Sequence, residues 1–157
     1  MDFLQPRTWA EALEAKAAHP DAVPVAGGTD VMVGVNFGHL RPSLLMDLTR
    51  VSDLQAWSTE DGAVRLGAGV SYARVITELG DRLPGLAMAS RTIGSPQIRN
   101  RGTVGGNLAT ASPAGDAHPA LWPPTRWSRW PRCAAPGGSR STTSTPGSSA
   151  TRWTPTS

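Results

Sequence analysis

The most informative segment of this chain is "TIGSPQIRNRGTVGGNLATASPAGD", residues 92–116. Almost none of its residues could fill a hydrophobic core, because glycine, small polar side chains and two arginines dominate it. A segment of this length with so few apolar residues is too long to be a passive connector. Since long ordered loops usually bind something, we expect short elements and a ligand-binding surface here.

A second segment upstream has the same chemistry. "VAGGTD" (residues 25–30) and "GTVGGNLATAS" (residues 102–112) both combine paired glycines with hydroxyl side chains. Glycine permits positive φ and brings backbone N–H groups within reach of a phosphate, and threonine adds a further donor. Taken alone, either segment is also explained by a simple turn, and for the first segment a turn at the end of a strand is the commoner explanation. Two such segments together are what a cleft needs to hold a diphosphate from both sides.

Three charged residues in or near the second segment each have two possible roles. Arg99 and Arg101 of "PQIRNR" either steady phosphate charge or form surface salt bridges of little energetic value. Asp116 either accepts hydrogen bonds from ligand hydroxyls or caps a helix that begins near Ala117. Other motifs are missing: "GAGVSY" at Gly67 does not fit G-x-G-x-x-G, and the three histidines lack metal-ligand spacing.

The remaining elements follow from local patterns. Thr8 with Glu11 three residues later forms a capping box, which predicts a helix that runs toward Ala18. A strand, this helix and further strands at such spacing indicate a small α/β unit. The other predicted elements are strands over residues 22–28, 43–48 and 63–71 and helices over residues 72–79 and 83–89.

Composition excludes several classes of protein. The chain has 157 residues, 39% of them apolar, and no stretch approaches the ~20 continuous apolar residues of a membrane span. The N-terminal residues do not form a secretory signal, and the one cysteine excludes an internal disulfide framework. We therefore expect a cytoplasmic protein without a membrane span.

Charge is distributed unevenly along the chain. Residues 1–121 carry ten basic and twelve acidic side chains, a net charge of −2, whereas residues 122–157 carry five arginines and no acid. This tail also has no Leu, Ile, Val, Met, Phe or Tyr. Because it cannot bury enough apolar surface to offset its ordering entropy, it is predicted to be disordered.

The tail has two explanations. Its arginines and four of the six tryptophans would allow weak nucleic-acid binding by charge and stacking. Its composition is also what GC-rich DNA yields out of frame. Joining the third base of each codon to the first two of the next permits "VVEVAS" and then "RRVPVDDFYTG" over residues 136–146. A frameshift is the more economical explanation, and we expect no nucleic-acid partner.

The two glycine-rich segments together resemble a known family. "VAGGTDVMVGV" and "IGSPQIRNRGTVGGNLATASPAGD" are similar to the FAD-binding subunit or domain of the molybdenum hydroxylases, which include xanthine dehydrogenase, aldehyde oxidoreductase and the medium subunit of aerobic carbon monoxide dehydrogenase. The resemblance covers residues 1–121. It implies an α+β fold with two lobes, of the vanillyl-alcohol oxidase type.

The resemblance also divides the chain and implies FAD contacts. A small N-terminal α/β lobe would span residues 1–55, an incomplete antiparallel-sheet lobe residues 56–121, and the disordered tail residues 122–157. Residues 24–31 would wrap the FAD diphosphate, and residues 103–107 would form the opposing loop. The implied FAD-binding residues are Pro24, Val25, Ala26, Gly27, Gly28, Thr29, Asp30, Val31, Ile93 near the flavin ring, Thr103, Val104, Gly105, Gly106, Asn107, and Thr110 and Asp116 on the polar chain.

By resemblance, the protein is an FAD-dependent oxidoreductase subunit. Its partners would be a molybdenum-cofactor large subunit and a [2Fe-2S] small subunit, and FAD would pass electrons to NAD or another acceptor. No residue of this chain need be a general acid or base, and no metal site is expected. The family's later strands are replaced here by the tail, so the alternative is an inactive, truncated frameshift product.

Overall fold

The computed structural model describes residues 1–111, residue 115 and residues 117–121. The predicted roles of Asp116 and the predicted disorder of residues 122–157 lie outside the described residues. The described part of the chain forms five strands and eight helices. In chain order they are β1 (Asp2–Leu4), α1 (Trp9–Ala18), β2 (Val23–Val25), α2 (Val31–Asn36), β3 (Leu44–Asp47), α3 (Ser52–Gln55), β4 (Trp57–Glu60), β5 (Ala63–Leu66), α4 (Tyr72–Glu78), α5 (Pro84–Thr92), α6 (Pro96–Arg101), α7 (Val104–Thr110) and α8 (Ala117–Leu121).

The first three strands form a parallel sheet in the order β1, β3, β2. Leu45 of the central strand pairs with Phe3 on one side and with Val23 on the other. Leu45 and Met46 of this central strand are almost completely buried. Parallel strands need a crossover, which α1 supplies between β1 and β2.

The capping box that was predicted at the start of α1 is confirmed. The Thr8 side chain accepts a hydrogen bond from the Glu11 N–H at 3.1 Å. The Glu11 carboxylate reaches back to the Arg7 N–H at 2.8 Å, one residue before the usual partner. Local sequence chemistry therefore fixes where this helix begins.

Strands β4 and β5 form an antiparallel hairpin with a two-residue turn. Asp61 and Gly62 have φ values of 50° and 75°, as a type I′ turn requires. The hairpin residues Trp57, Val64 and Leu66 pack against the buried core of the second half. That core consists of Val70, Tyr72, Val75, Leu79, Leu86, Ala87, Ile93, Val104 and Ala117.

Most predicted elements are present with adjusted ends. The strand expected over residues 63–71 ends at Leu66, and the segment after Thr92 contains the short helices α6 and α7. The expected loop at residues 103–107 is the one clear error, because residues 104–107 begin α7. The Thr103 hydroxyl caps this helix by accepting from the Gly106 N–H at 3.0 Å, and hydrogen bonds from the N–H groups of Val104 and Gly105 to the carbonyls of Val70 and Ala68 anchor its first turn.

We find no helix long and apolar enough to cross a membrane in the part of the chain that the structure describes.

Candidate functional site

A cleft of about 390 Å³ lies between the loop that follows β2 and the face of α7. It brings together most of the residues expected to bind a ligand, although the two segments are about seventy residues apart in sequence. The expected residues that line it are Pro24, Ala26, Gly27, Gly28, Thr29, Asp30, Val31, Ile93, Thr103, Gly106, Asn107 and Thr110.

Three expected residues, Val25, Val104 and Gly105, do not line the cleft. The Val104 side chain lies in the core, 4% exposed. Gly105 faces Ala68, because a Cβ at Gly105 would meet the Ala68 Cβ at 2.5 Å and its carbonyl oxygen at 2.6 Å. Gly105 therefore permits close backbone packing behind the cleft wall.

Sequence reasoning missed five lining residues, which are Val23, Tyr72, Ile98, Gly102 and Ala109. Predicting a helix in the second segment would have improved the prediction of the site residues. Thr103, Gly106, Asn107 and Thr110 follow the i, i+3, i+4, i+7 spacing of one helix face. Tyr72 is thirty residues away, and no local pattern points to it. Its place is set by the hydrogen bond from its own N–H to the Gly102 carbonyl at 3.1 Å.

The first wall of the cleft is the loop after β2, residues 26–31, and it is rich in backbone N–H groups without a partner in the described structure. Leu48 N–H donates to the Val25 carbonyl at 2.8 Å and fixes the end of β2. Gly28 then turns the chain with φ of 77°. Within the described residues, none of the four N–H groups of residues 27–30 donates a hydrogen bond. Consecutive unpaired N–H groups of this kind form an anion-binding concavity.

The second wall has its backbone donors occupied. Val104 N–H donates to the Val70 carbonyl at 3.1 Å, and Gly105 N–H to the Ala68 carbonyl at 2.9 Å. This wall offers side chains instead. The Asn107 Oδ1 atom is buried and has no hydrogen-bond partner among the described residues. Because an unsatisfied buried acceptor is costly, it suits a donor from a bound ligand.

Two direct contacts join the walls. Gly27 lies so close to the end of α6 that a Cβ there would overlap the Arg101 carbonyl oxygen and come within 2.9 Å of the Gly102 Cα atom. The Thr110 hydroxyl lies 3.2 Å from Asp30 Oδ2 across the cleft and 2.9 Å from the Gly106 carbonyl. Contacts between residues distant in sequence therefore hold the two sides of the cleft together.

Arg99 does not line the cleft and forms no salt bridge within the described residues. Its guanidinium Nη1 donates to three backbone carbonyls, those of Arg91, Ile93 and Gly94, at 3.2, 2.9 and 3.0 Å. The one ion pair found in the described part of the chain joins Arg74 to Glu78 instead. The Arg101 carbonyl, rather than its side chain, contacts the first wall.

The Arg74–Glu78 pair is part of a polar network that joins α4 to the β4–β5 hairpin. Arg74 Nε and Nη2 donate to the two Glu78 carboxylate oxygens at 2.7 and 2.8 Å, and Trp57 Nε1 donates to Glu78 Oε2 at 2.8 Å. The hydrogen bonds from Arg74 and then Trp57 lower the pKa of Glu78 from its ordinary value of 4.5 to about 2. None of these three side chains lines the cleft.

Comparison with known proteins assigns the chain to a family. Residues 1–123 match the family described as the FAD binding domain in molybdopterin dehydrogenase. The chain is 32% identical over 124 residues to the nicotinate dehydrogenase FAD-subunit of Eubacterium barkeri, which covers 76% of this chain and 42% of the relative. It is 37% identical over 103 residues to the carbon monoxide dehydrogenase medium chain of Hydrogenophaga pseudoflava, with 64% and 36% covered. The chain thus spans about two fifths of the length of the relatives it matches.

Solved structures agree with this assignment. The reconstituted CO dehydrogenase from Oligotropha carboxidovorans superposes with a TM-score of 0.72 at 32% identity, covering 74% of this chain and 42% of that one. Quinoline 2-oxidoreductase from Pseudomonas putida 86 gives 0.67 at 32% identity, with 69% and 39% covered. The resemblance drawn from the sequence and the expected α+β FAD-binding fold are both confirmed. This chain belongs to the family of FAD-binding domains of the molybdopterin dehydrogenases.

Proposed function

We propose that this chain binds FAD in the cleft and serves as the flavin-carrying part of a molybdenum hydroxylase. One observation carries the proposal: the consecutive residues 27–30 all line the cleft, and their four N–H groups make no hydrogen bond within the described residues. A diphosphate carries negative charge and several acceptor oxygens, so it suits these donors. FAD contains a diphosphate between its two halves, and the family assignment favours FAD over other dinucleotides.

The second wall supports the same ligand. Asn107 Oδ1 is a buried acceptor that lacks a partner in the described chain, and a hydroxyl group of the cofactor's polar chain would satisfy it. Ile93 and Ile98 line the cleft with apolar surface, which suits an aromatic ring system. We therefore assign the diphosphate to the Gly27–Gly28 side and the polar chain to the side of Asn107 and Thr110.

We also propose two lobes for the described chain, residues 1–55 and residues 56–121. The three-stranded parallel sheet forms entirely within the first range, and the β4–β5 hairpin lies in the second. In this division FAD would lie between the lobes. Asp116 is retained as a proposed FAD contact that lies outside the described residues.

The chemistry of the bound group is electron transfer. FAD supplies acceptance and donation of electrons, and this chain binds it, orients it and limits its access to water. We propose that the partners are a molybdenum-cofactor subunit and a [2Fe-2S] subunit, with NAD or another molecule as the final acceptor. The names of relatives as an "FAD-subunit" and a "medium chain" support assembly with other subunits.

The test compares the affinity of the purified protein for four related ligands. FAD, ADP, FMN and riboflavin are titrated separately, since only the first two contain a diphosphate. We expect FAD to bind with 1:1 stoichiometry and ADP to compete with it. Riboflavin should bind at least about 100-fold more weakly, because it leaves the N–H groups of residues 27–30 without an anion.

The Asn107→Leu variant sharpens this test. Removing the unsatisfied acceptor should leave the ligand-free protein as stable or more stable, while FAD affinity falls about tenfold. Asn100→Leu is the matched control, because Asn100 is exposed on α6 and does not line the cleft. Equal affinity for FAD and riboflavin would contradict the proposal. Colourless protein that binds none of the four ligands would favour the alternative of an inactive frameshift product.

A further inference from the structure

Helix α5 ends without the backbone cap that most helices here have. The C-cap N–H groups of α1, α2, α4, α6 and α7 each donate to a carbonyl of their own helix. Ile93, the C-cap of α5, is extended with φ of −71° and ψ of 114° and makes no such bond. The last carbonyls of a helix need partners, so another group must supply the donors at this end.

The Thr92 hydroxyl donates to the Ala89 carbonyl at 2.7 Å, and the Arg99 side chain supplies donors to the carbonyls that follow. Its Nη1 atom donates to the carbonyls of Arg91, Ile93 and Gly94, which lie in the last turn of α5 and in the connection to α6. Hydrogen bonds from a charged donor are stronger than neutral ones, and a cation at a helix C-terminus is favoured by the helix dipole. One guanidinium therefore holds the whole turn between the two helices.

This turn positions two residues of the cleft. Ile93, 8% exposed, belongs both to the core and to the cleft lining. Gly94 has φ of 41°, and a Cβ there would approach the Ile98 Cβ at 3.1 Å, so the turn packs tightly against Ile98. Ile98 also lines the cleft. Loss of the Arg99 contacts would free the backbone that carries this apolar wall.

We propose that Arg99 is a positioning residue that fixes the Ile93–Ile98 wall against which the ring system of the bound flavin packs. The inference rests on the proposed function for the identity of the ligand. Arg99 acts through backbone carbonyls and does not touch the ligand itself. Its side chain is thus needed for the shape of the cleft, whereas residues 27–30 are needed for anion binding.

The experiment compares Arg99→Gln, Arg99→Lys and the control Arg91→Gln in the full chain. Arg91 has an exposed side chain in the same turn, with no hydrogen bond or ion pair in the described structure, and its change removes the same charge. Three quantities are measured: FAD affinity, the visible absorption spectrum of bound flavin, and amide hydrogen exchange of the peptide spanning residues 91–98 in the ligand-free protein.

We expect Arg99→Gln to weaken FAD binding about tenfold, to alter the flavin spectrum and to raise exchange in the 91–98 peptide. Arg99→Lys should restore part of each change, because an ammonium group also carries charge and several donors. Arg91→Gln should match the original protein. If Arg99→Gln does not fold, the Lys variant decides by the same three measurements.

Two results separate this inference from the proposed function. If the original protein does not bind FAD, the proposed function fails, and hydrogen exchange still decides whether Arg99 holds the turn. If FAD binds but Arg99→Gln leaves affinity, spectrum and exchange within the range of Arg91→Gln, the positioning role of Arg99 is overturned. A fall in thermal stability alone, with an unchanged flavin spectrum, also overturns it.

Discussion

The two glycine pairs of the cleft, Gly27–Gly28 and Gly105–Gly106, read alike in sequence but behave differently in the fold. In each pair the first glycine allows close backbone packing, Gly27 against Arg101 and Gly105 against Ala68. The N–H groups then diverge. Those of the first pair make no hydrogen bond within the described structure, whereas those of the second are bonded to Ala68 and Thr103.

This difference shows how a glycine-rich segment can serve either of two purposes. Around Gly27 and Gly28, four consecutive donors remain available to an anion. Around Gly105 and Gly106, the backbone anchors a helix, which then presents the Asn107 and Thr110 side chains to the cleft. One wall therefore offers a ligand backbone donors, and the other offers side chains.

The largest effect is expected from alanine at the first glycine of each pair. In Gly27→Ala and Gly105→Ala, the new Cβ would meet backbone atoms that cannot move without shifting an element. We expect each to lower the free energy of unfolding by about 3 kcal/mol, measured by urea denaturation. Gly85→Ala is the control, since a Cβ there meets nothing within 4 Å. Stability equal to that of the control would contradict the packing role of these glycines.

The second glycine of the first pair should show a smaller effect of different origin. A Cβ at Gly28 has room, with its nearest neighbours at 3.6 Å, but φ is 77°. Gly28→Ala should therefore cost about 1 to 2 kcal/mol through backbone strain alone. Gly28→Asn should cost less, because asparagine tolerates the left-handed region better. Equal losses for Ala and Asn would show that strain is not the cause.

A cap on the second wall can be compared with a cap elsewhere. Thr103→Val removes the acceptor for Gly106 N–H, and Thr8→Val removes the acceptor for Glu11 N–H. Each should lower the free energy of unfolding by about 1 kcal/mol. Only Thr103→Val should also weaken FAD binding, since Thr103 lines the cleft and Thr8 does not. A parallel loss of FAD affinity in both variants would mean that general stability, rather than the second wall, controls binding.

The smallest effect on the cleft at neutral pH is expected from replacing Glu78, which lies on neither wall of the cleft. Its pKa in the folded protein is lowered to about 2, so its contribution to stability is present above the ordinary carboxyl value of 4.5 and is lost as the pH falls toward 2. Glu78→Gln should flatten the dependence of unfolding free energy on pH across this window and leave FAD affinity at pH 7 unchanged. An unchanged acid dependence would contradict the role of this carboxylate.

Several parts of the fold could be predicted from local sequence. Thr8 with Glu11 fixes the start of α1, and the turn from Asp61 to Gly62 joins two strands without help from distant residues. The expectation that two glycine-rich segments meet in one cleft also agrees with the lining residues. The expected loop at residues 103–107 was wrong, because helix propensity did not reveal that Ala68 and Val70 would anchor α7.

The sequence by itself therefore determined the family, the start of α1 and the two segments that form the cleft, because each of these is encoded by residues near one another in the chain. Tertiary structure alone decided which glycine N–H groups stay unpaired, that Arg99 holds the turn before α6, and that Asn107 is left with an unsatisfied acceptor. The physical reason is that the partner of a backbone donor or a buried acceptor is set by chain segments that approach it only after folding.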